Sequence, residues 1–393
     1  MPPPPASAAL VSRARGLPAL IAAQVSLQSA ATGLRVAGPL LLLQSGAPAW
    51  QVGLLIACFG VGPVLVAWPT GRLVDTRGYH PPMRAALAAG LASTVVGFAA
   101  SFAGDARLGL LCLAAAIAGA ASNASIIALQ RTAARMARDA ADLRSRFGWV
   151  GMAPPAANVI GPIAAGVALD LAGPHGALLA LAAFPLIAAL LVRAARAPAP
   201  PDATAPAPDA TLAGLLGHAT VRRMMLIDLL VIAAWDVHAF VVPVLGHDRG
   251  LSSTVIGSIY GLFAAGVVLV RGLIPWVADR ITESRVLVAS MLGTAAVFVV
   301  YPFGESAAFM AACALALGVT LGFAQPMILS AMHQAVPERQ RGGMLALRTI
   351  WINLGAIGMP LGFAAAGAAV GWSTVLWALA AAIGGGSRAA RRG

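Results

Sequence analysis

Lysine is absent from this 393-residue chain, in which all 26 basic residues are arginine, and charged residues of both signs make up only 10% of the sequence. A typical soluble domain has about a quarter of its residues charged. So few charges cannot solvate the surface of a soluble protein of this size, whereas an apolar content of 59% suits a surface that faces lipid. The composition therefore argues against a soluble protein and indicates a membrane protein, and its richness in arginine and alanine is typical of a bacterial genome of high GC content.

The residue groups that usually carry enzyme chemistry are also lacking. The three cysteines stand singly inside apolar runs, and no pair of cysteines has the spacing of metal ligands. The sequence contains no Walker loop, no paired histidine and glutamate metal site and no nucleophile elbow. We therefore expect neither an enzyme nor a protein that needs a metal or another cofactor, and any transport would draw its energy from a gradient and not from ATP.

Long apolar runs dominate what is present. A membrane-spanning helix needs about 20 apolar residues, and a helix is the open-chain structure that satisfies its own backbone in hydrocarbon. The sequence predicts an all-α membrane protein with about twelve transmembrane helices in two pseudo-symmetric six-helix bundles. The predicted spans lie near residues 17–43, 50–71, 83–103, 107–130, 147–170, 175–192, 223–246, 254–277, 285–303, 306–333, 343–369 and 371–386.

The arginines divide unevenly between the two sides of this layout. If the N-terminus is cytoplasmic, 22 arginines, among them Arg348, fall in cytoplasmic segments, while Arg107 and Arg249 fall on the opposite side and Arg35 and Arg271 within spans. Positively charged loops remain in the cytoplasm. This distribution predicts that both termini are cytoplasmic, and it explains the net charge of +12 without a nucleic-acid partner.

The second half of the chain repeats the first at a shift of 204 residues. Pro39 matches Pro243, Gly53 matches Gly257 and Asp75 matches Asp279, while Gln130 matches Gln334. A duplication of six helices explains these matches economically. We therefore expect an N-terminal bundle at residues 1–193 and a C-terminal bundle at residues 221–393. The proline- and alanine-rich segment 194–220 between them cannot bury a core and is predicted to be a disordered cytoplasmic linker.

A polar motif follows the second predicted span, and a degenerate copy with Asp279 and Arg280 stands at the equivalent place in the second half. An ordinary turn between two helices is the simpler interpretation. The motif residues are Gly71, Leu73, Asp75, Arg77 and Gly78. Their types, location and repetition nevertheless resemble the loop signature of the major facilitator superfamily.

That resemblance covers nearly the whole chain and implies a transporter whose two halves rock about a central site. The fifth span resembles the glycine–proline motif of superfamily members that act as antiporters, chiefly drug exporters. Generic close packing of helices is the alternative interpretation of the same small residues. The residues of this motif are Gly148, Gly161, Pro162 and Gly166.

Polar residues inside the spans are the candidates for the transport pathway. In the first span a stripe on one helical face contains Gln24, Gln28, Thr32 and Arg35, and the shift of 204 places Asp228 and Asp236 of the seventh span on the equivalent stripe. The resemblance implies that spans 1, 4, 7 and 10 line the cavity, which adds Asn123 and Gln325. Asp236 is the candidate proton carrier, although a structural pair with Arg35 is the alternative, and Asp228 is equally interpretable as an interface residue.

The leading functional hypothesis is a secondary transporter that exports a small molecule by alternating access in exchange for protons. The first alternative is proton-coupled uptake of an anionic metabolite, whose carboxylate Arg35 would bind. A minor alternative is a non-transporting membrane receptor or scaffold. We expect a multi-pass monomer in the bacterial inner membrane whose partners are a small-molecule substrate, protons and the lipid bilayer.

Overall fold

A computed structural model describes residues 6–136, 140–195, 212–277, 282–337 and 340–391 of the chain. All regular structure in these ranges is helical, with no strand. The first half contains α1 to α7, with one 3-10 turn at Gly104–Ala106 before α4. Their bounds are Ala6–Gln44, Ala49–Arg77, His80–Ala100, Arg107–Met136, Ala140–Gly151, Ala153–Ala180 and Ala183–Ala194.

The second half contains α8 to α14, with a 3-10 turn at Tyr301–Phe303 after α11. The short helix α8 lies inside the segment that was predicted to be a disordered linker, and α9 also begins within it. The rest of that prediction, residues 196–211, lies outside the described residues. The bounds of α8 to α14 are Leu212–Gly217, Ala219–Asp248, Ser253–Val277, Glu283–Val300, Ala307–Ala335, Arg341–Val370 and Trp372–Ala390.

Ten of the described helical segments are long and apolar enough to cross a membrane. The sixth predicted span is divided between the end of α6 and the shorter apolar helix α7. The twelfth corresponds to α14, which carries three glycines and Arg388 toward its end and is not among these ten segments. The helical fold is confirmed.

Glycine with positive φ separates successive helices where the chain turns sharply. Gly78 (φ 76°) lies between α2 and α3, and Gly371 (φ 82°) lies between α13 and α14. Gly173 (φ 65°) breaks α6 and divides the fifth predicted span from the sixth. Glycine adopts this region at little cost because it has no Cβ.

The described helices cluster into two compact units. Unit 1 comprises Met1–Leu41 and Cys58–Thr204, and unit 2 comprises Leu42–Ala57 and Ala205–Gly393. This division departs from the expected boundary, because the start of α2 clusters with the second half. Gly53 gives the physical reason, since a Cβ there would lie 2.8 Å from the carbonyl oxygen of Pro360 in α13. The absence of a side chain lets this part of α2 pack closely on α13.

Each unit contains a tight crossing of two helices, and the two crossings are built alike. In unit 1, a Cβ at Gly62 of α2 would overlap the carbonyl oxygen of Ala116 in α4, and one at Gly119 would overlap that of Phe59. Small residues allow helix backbones to approach this closely. The same contacts recur in unit 2 between α10 and α12, as the pairs Gly266–Leu315 and Gly318–Phe263.

These crossings show where the repeat changes register. Gly62 and Gly266 differ by the predicted 204 residues, but Ala116 and Leu315 differ by 199, as do Gly119 and Gly318. The second half is therefore five residues shorter between the two crossing helices. The sequence match of Gln130 with Gln334 is consequently not a structural equivalence.

Candidate functional site

A polar cavity of about 270 Å³ lies wholly within unit 1, among α1, α2, α4 and α6. Three members of the predicted stripe on α1 line it, and Asn123 of α4 faces them. The fourth member, Gln24, is buried one turn away, where its amide Nε2 donates to Oε1 of Gln28 over 3.1 Å. The lining residues are Gln28, Ala31, Thr32, Arg35, Phe59, Pro63, Gly119, Ser122, Asn123, Ile126, Pro154 and Asn158.

Arg35 is the charged residue of this lining, which contains no carboxylate. Its guanidinium lies over the ring of Phe59, with Cζ 5.0 Å from the ring centroid. Cation–π contact of this kind orients a guanidinium against an aromatic face and leaves its N–H edge available for an anion. The cavity therefore presents a positive charge.

Close packing of α1 against α6 fixes the wall that carries Thr32. The Thr32 hydroxyl donates to the carbonyl oxygen of Ala157 over 2.9 Å. A Cβ at Gly161 would overlap Thr32 and the backbone of α1, so this glycine is required for the approach. In the predicted glycine–proline motif, Gly161, Pro162 and Gly166 lie buried in α6 while Gly148 lies exposed in α5. The contacts of Gly161 agree with the packing interpretation of this motif.

The buried acids lie in unit 2. Asp228 of α9 has 0% exposure, and its two carboxylate oxygens lie 2.9 and 3.1 Å from Nε and Nη2 of Arg348 in α13. Nη2 of Arg348 also donates a short hydrogen bond to the side-chain oxygen of Gln325 in α12. One arginine therefore connects three helices.

This network adds a contact to two residues that the sequence analysis placed separately. Arg348, counted among the cytoplasmic arginines, is the second residue of the candidate membrane span Leu347–Val370 in α13. Asp228 forms half of a buried ion pair with it. Buried charges of this kind are tolerated because they are paired and hydrogen-bonded.

The other acid of α9, Asp236, is buried with 6% exposure and lies about 12 Å along the helix from the carboxylate that Arg348 binds. Its neighbour His238 is stacked on the ring of Phe263, with ring centroids 4.6 Å apart, and is only 3% exposed. His238 therefore packs among aromatic side chains between α9 and α10.

Two arginines from the end of α4 contact the motif in the last turns of α2. Nη2 of Arg135 donates to the carbonyl oxygen of Val74 over 3.0 Å, and the guanidinium of Arg131 lies against Gly71, where a Cβ would approach Nη2 to 2.9 Å. Leu73 and Arg77 lie in the last turns of α2. The side chain of Asp75 and both Asp279 and Arg280 lie outside the described residues.

Tyr79 directly follows Gly78, the positive-φ glycine of this motif. Its side chain is 2% exposed and belongs to an apolar cluster that includes Leu17, Leu20 and Met83. Burial raises the pKa of this phenol above its usual value. The tyrosine therefore makes an apolar contact at this end of unit 1.

Sequence reasoning found the α1 stripe and Asn123 but missed Phe59, Ser122 and Arg348. One sequence feature pointed to Phe59, because it matches Phe263 in the repeat. The carbonyl oxygen of each phenylalanine lies close to a glycine of the neighbouring helix. Arg348 carried none, since it follows Arg339 and Arg341 along the chain and resembles a further loop arginine.

The fold and site define a polytopic membrane protein with polar groups enclosed within its spans, and comparison with known proteins gives the class. The sequence profile of the Major Facilitator Superfamily matches residues 20–233 and 224–386. The chain belongs to the major facilitator superfamily, and it is a multi-pass membrane transporter of that type. No curated protein sequence matches it.

Solved structures share this fold at low sequence identity. A mutant of the nucleoside transporter NupG is 14% identical with a TM-score of 0.76, over 95% of this chain and 98% of that one. A POT family transporter in complex with 5-aminolevulinic acid is 11% identical with a TM-score of 0.76, over 95% of both chains. The human organic anion transporter MFSD10 (TETRAN) is 17% identical with a TM-score of 0.69, over 99% of this chain and 100% of that one.

Proposed function

We propose that this protein is a proton-coupled secondary transporter that exports a small molecule by alternating access. The observation that carries the proposal is the separation of charges between the units. Unit 1 offers a polar cavity with the cation Arg35, and unit 2 buries the acids Asp228 and Asp236 in one helix. Ionisable residues within membrane spans are expensive and generally functional.

Asp236 is the proton carrier in this proposal. Asp228 is bound by Arg348 through both carboxylate oxygens, so protonation of Asp228 would break an ion pair and leave a buried arginine without its anion. Asp236 lies about 12 Å further along α9 from this ion pair. The pair Asp228–Arg348 serves to hold α9 against α12 and α13.

A proton gradient supplies enough energy for this exchange. For a neutral substrate, one proton moving down 100 mV and one pH unit releases ~3.7 kcal/mol, which supports a substrate gradient of several hundredfold, and an anion leaving against a proton entering would gain a further ~2.3 kcal/mol from the same potential. Export is preferred in this proposal because the fifth span resembles the antiporter motif, although its Gly161 also has a packing role against α1. The arginine-rich loops face the cytoplasm in this proposal, and the protein works as a monomer in the bacterial inner membrane.

Proton-coupled uptake of an anionic metabolite is the second candidate. The favouring observation is the unit 1 cavity, in which the described residues give Arg35 an aromatic partner and no lining carboxylate. The two candidates differ in the direction of proton movement that accompanies the substrate.

Proteoliposomes with a pH-sensitive dye in the lumen test both candidates. A panel of hydroxy acids, simple carboxylates and lipophilic cations is added outside, one compound at a time, with protein-free liposomes as the control for passive permeation. Exchange makes the lumen more alkaline when a substrate enters, and symport makes it more acidic. Absence of protein-dependent proton movement with every compound would contradict proton coupling.

The variant Asp236→Asn sharpens that test. We expect it to abolish substrate-dependent proton movement while exchange of labelled for unlabelled substrate across the bilayer continues, because exchange needs no net proton transfer. Asn353→Leu is the matched control, since Asn353 is a partly exposed amide of α13 that bonds to Thr349 of its own helix. Undiminished proton movement in Asp236→Asn would remove Asp236 from its assigned role.

A further inference from the structure

The unit 1 cavity contains unmet hydrogen-bonding capacity as well as charge. Among the described residues, the buried Oδ1 of Asn123 and the buried Oγ of Ser122 have no hydrogen-bond partner. An unpaired buried acceptor is costly, and most such groups in native proteins are satisfied by a partner. Asn123 Oδ1 accepts hydrogen bonds and cannot donate them. A ligand group that contacts Asn123 Oδ1 must therefore be a donor, whereas Ser122 Oγ can pair with a donor or an acceptor.

The opposite requirement holds at Arg35. A guanidinium only donates hydrogen bonds, and its planar edge matches a carboxylate, to which it can donate two parallel bonds. The contact with Phe59 fixes the plane of the guanidinium. Gln28, about two helical turns before Arg35 along the same face, has its side-chain oxygen engaged by Gln24, so its amide nitrogen is the group left to donate. This side of the cavity therefore requires an acceptor that bears negative charge.

The size of the cavity limits the ligand further. Its volume of about 270 Å³ lies just below the range of roughly 300–1,000 Å³ typical of sites for drug-sized molecules. A metabolite-sized ligand fits this volume. Arg35 also repels cations, which argues against the organic cations that many exporters carry.

We propose that the unit 1 cavity binds a small organic anion that carries one carboxylate for Arg35 and a hydroxyl or amide N–H donor for Asn123. This inference rests on the proposed function, because it assigns the substrate class of the same transporter. It narrows the substrate to hydroxy acids and related amido acids, and it holds for either direction of transport.

Ligand binding to the purified full-length protein in detergent tests the inference without any proton gradient. The probes are butyrate, its 2-, 3- and 4-hydroxy derivatives, benzoate, its hydroxy derivatives, 4-hydroxybenzamide and tetraphenylphosphonium. Affinities come from the dependence of the thermal unfolding midpoint on ligand concentration. We expect at least one hydroxy acid to bind several-fold more tightly than its parent acid, and the neutral amide to bind at least tenfold more weakly.

Two sets of variants assign the contacts. Arg35→Gln should weaken binding of the hydroxy acid by about 10- to 100-fold, and Arg35→Lys should restore part of that loss because it keeps the charge but not the planar fork. Asn123→Leu should reduce the preference for the hydroxy acid over its parent acid to about onefold, since the apolar side chain no longer needs a donor.

The controls repeat these changes outside the cavity. Arg72→Gln removes another guanidinium that lies over an aromatic ring, that of Trp68 at 4.9 Å, and Asn353→Leu removes a partly exposed amide. Neither control should alter the affinities. Arg35→Lys also preserves the test if Arg35→Gln fails to fold.

Three results would overturn the inference: equal binding of the acid and the amide, equal or tighter binding of tetraphenylphosphonium, or no binding of any acid at the highest concentration that the assay tolerates. Proton-coupled flux of a lipophilic cation alone would overturn the substrate class and leave the transport proposal standing. Binding of a hydroxy acid without any proton movement would support the substrate class and contradict the proton-coupled transport proposal.

Discussion

The two units share a helical repeat but place their charged groups differently. In unit 1, Arg35 lines a cavity without a carboxylate, whereas in unit 2 the arginine Arg348 is occupied by Asp228 and Gln325. With the structural shift of 199 residues, Gln325 stands at the position of Ile126, an apolar residue of the unit 1 cavity. The duplication supplied one scaffold, and the substitutions within it produced a site open to an anion in one half and a satisfied polar network in the other.

The helices α4 and α12 also differ between the units in their polar residues, although their packing glycines are equivalent. Gly119 and Gly318 occupy equivalent positions in the two helix crossings, so the close packing of the backbones is preserved. Asn123, by contrast, corresponds to Gly322, which has no side chain to offer a ligand. In α4 and α12 the packing glycines therefore follow the repeat and the polar residue departs from it.

The largest effect should come from breaking the ion pair of unit 2. Arg348→Leu leaves Asp228 buried without its partner, and we expect a loss of about 3–5 kcal/mol in the free energy of unfolding. The double variant with Asp228→Leu should recover most of this loss, because no uncompensated charge remains. The measurement is the thermal unfolding midpoint in detergent.

Arg72→Leu is the control for that pair, since Arg72 is exposed and should cost less than about 0.5 kcal/mol. If Arg348→Leu were as mild as this control, the buried pair would have no structural role, and α9 would be held to α13 by other contacts, such as the hydrogen bond from Nε1 of Trp351 to the carbonyl oxygen of Met225.

Gly→Ala substitutions at the two helix crossings should have a smaller effect on stability, and the size of that effect should differ between the crossings. Gly62→Ala in unit 1 places a methyl group where it overlaps the carbonyl oxygen of Ala116, while Gly266→Ala in unit 2 brings one to 2.7 Å from that of Leu315. Overpacking of this kind costs about 1–3 kcal/mol. We expect the unfolding midpoint to fall in both variants and further in Gly62→Ala.

Gly109→Ala gives the baseline for these variants, because a Cβ there meets nothing within 4 Å. A larger loss for Gly266→Ala than for Gly62→Ala would mean that the unit 2 crossing is the tighter one and would reverse the comparison.

The smallest effect should come from Tyr79, whose buried hydroxyl has no partner among the described residues. In unit 2, by contrast, the polar side chain at the start of α11 is paired. Glu283 accepts hydrogen bonds from Ser330 and from Nε2 of Gln334, the latter over 2.9 Å. Tyr79→Phe should therefore leave stability at pH 7 unchanged or raise it by up to about 1 kcal/mol.

The pH dependence of this variant has a definite sign. Burial raises the pKa of Tyr79 in the folded state, so its contribution to stability is fully present below the usual phenol pKa of about 10 and is lost as the pH rises above it. Unfolding midpoints at pH 7 and at about pH 10.5 should show that Tyr79→Phe becomes more stable relative to the unsubstituted protein at the higher pH. An equal loss in both proteins would contradict the burial of this phenol.

Much of this architecture could be predicted from residue patterns, because lipid imposes simple rules on apolar length and backbone hydrogen bonding. The stripe on α1 followed from helical periodicity, and Gly71 and Gly78 followed from the need for close approach and a turn. Periodicity within one helix predicts which side chains share a face, and the cavity contains three of the four residues of that stripe.

Contacts between distant helices could not be predicted in this way. The partner of Asp228 lies 120 residues away, and no local pattern distinguishes Arg348 from the arginines that precede it. The five-residue change in repeat register was equally hidden, because chance identities such as Gln130 and Gln334 fit the wrong shift. The backbone contacts of Gly62, Gly119, Gly266 and Gly318 reveal the correct one.

The central claim is a division of labour, with substrate held by unit 1 and the proton carried by unit 2. It is tested most directly by measuring hydroxy-acid affinity and hydroxy-acid-dependent proton movement side by side in Arg35→Gln and Asp236→Asn. We predict that Arg35→Gln loses the affinity, and that Asp236→Asn retains it within about threefold while losing the proton movement. Proton movement that survives in Asp236→Asn, together with affinity that survives in Arg35→Gln, would contradict the account.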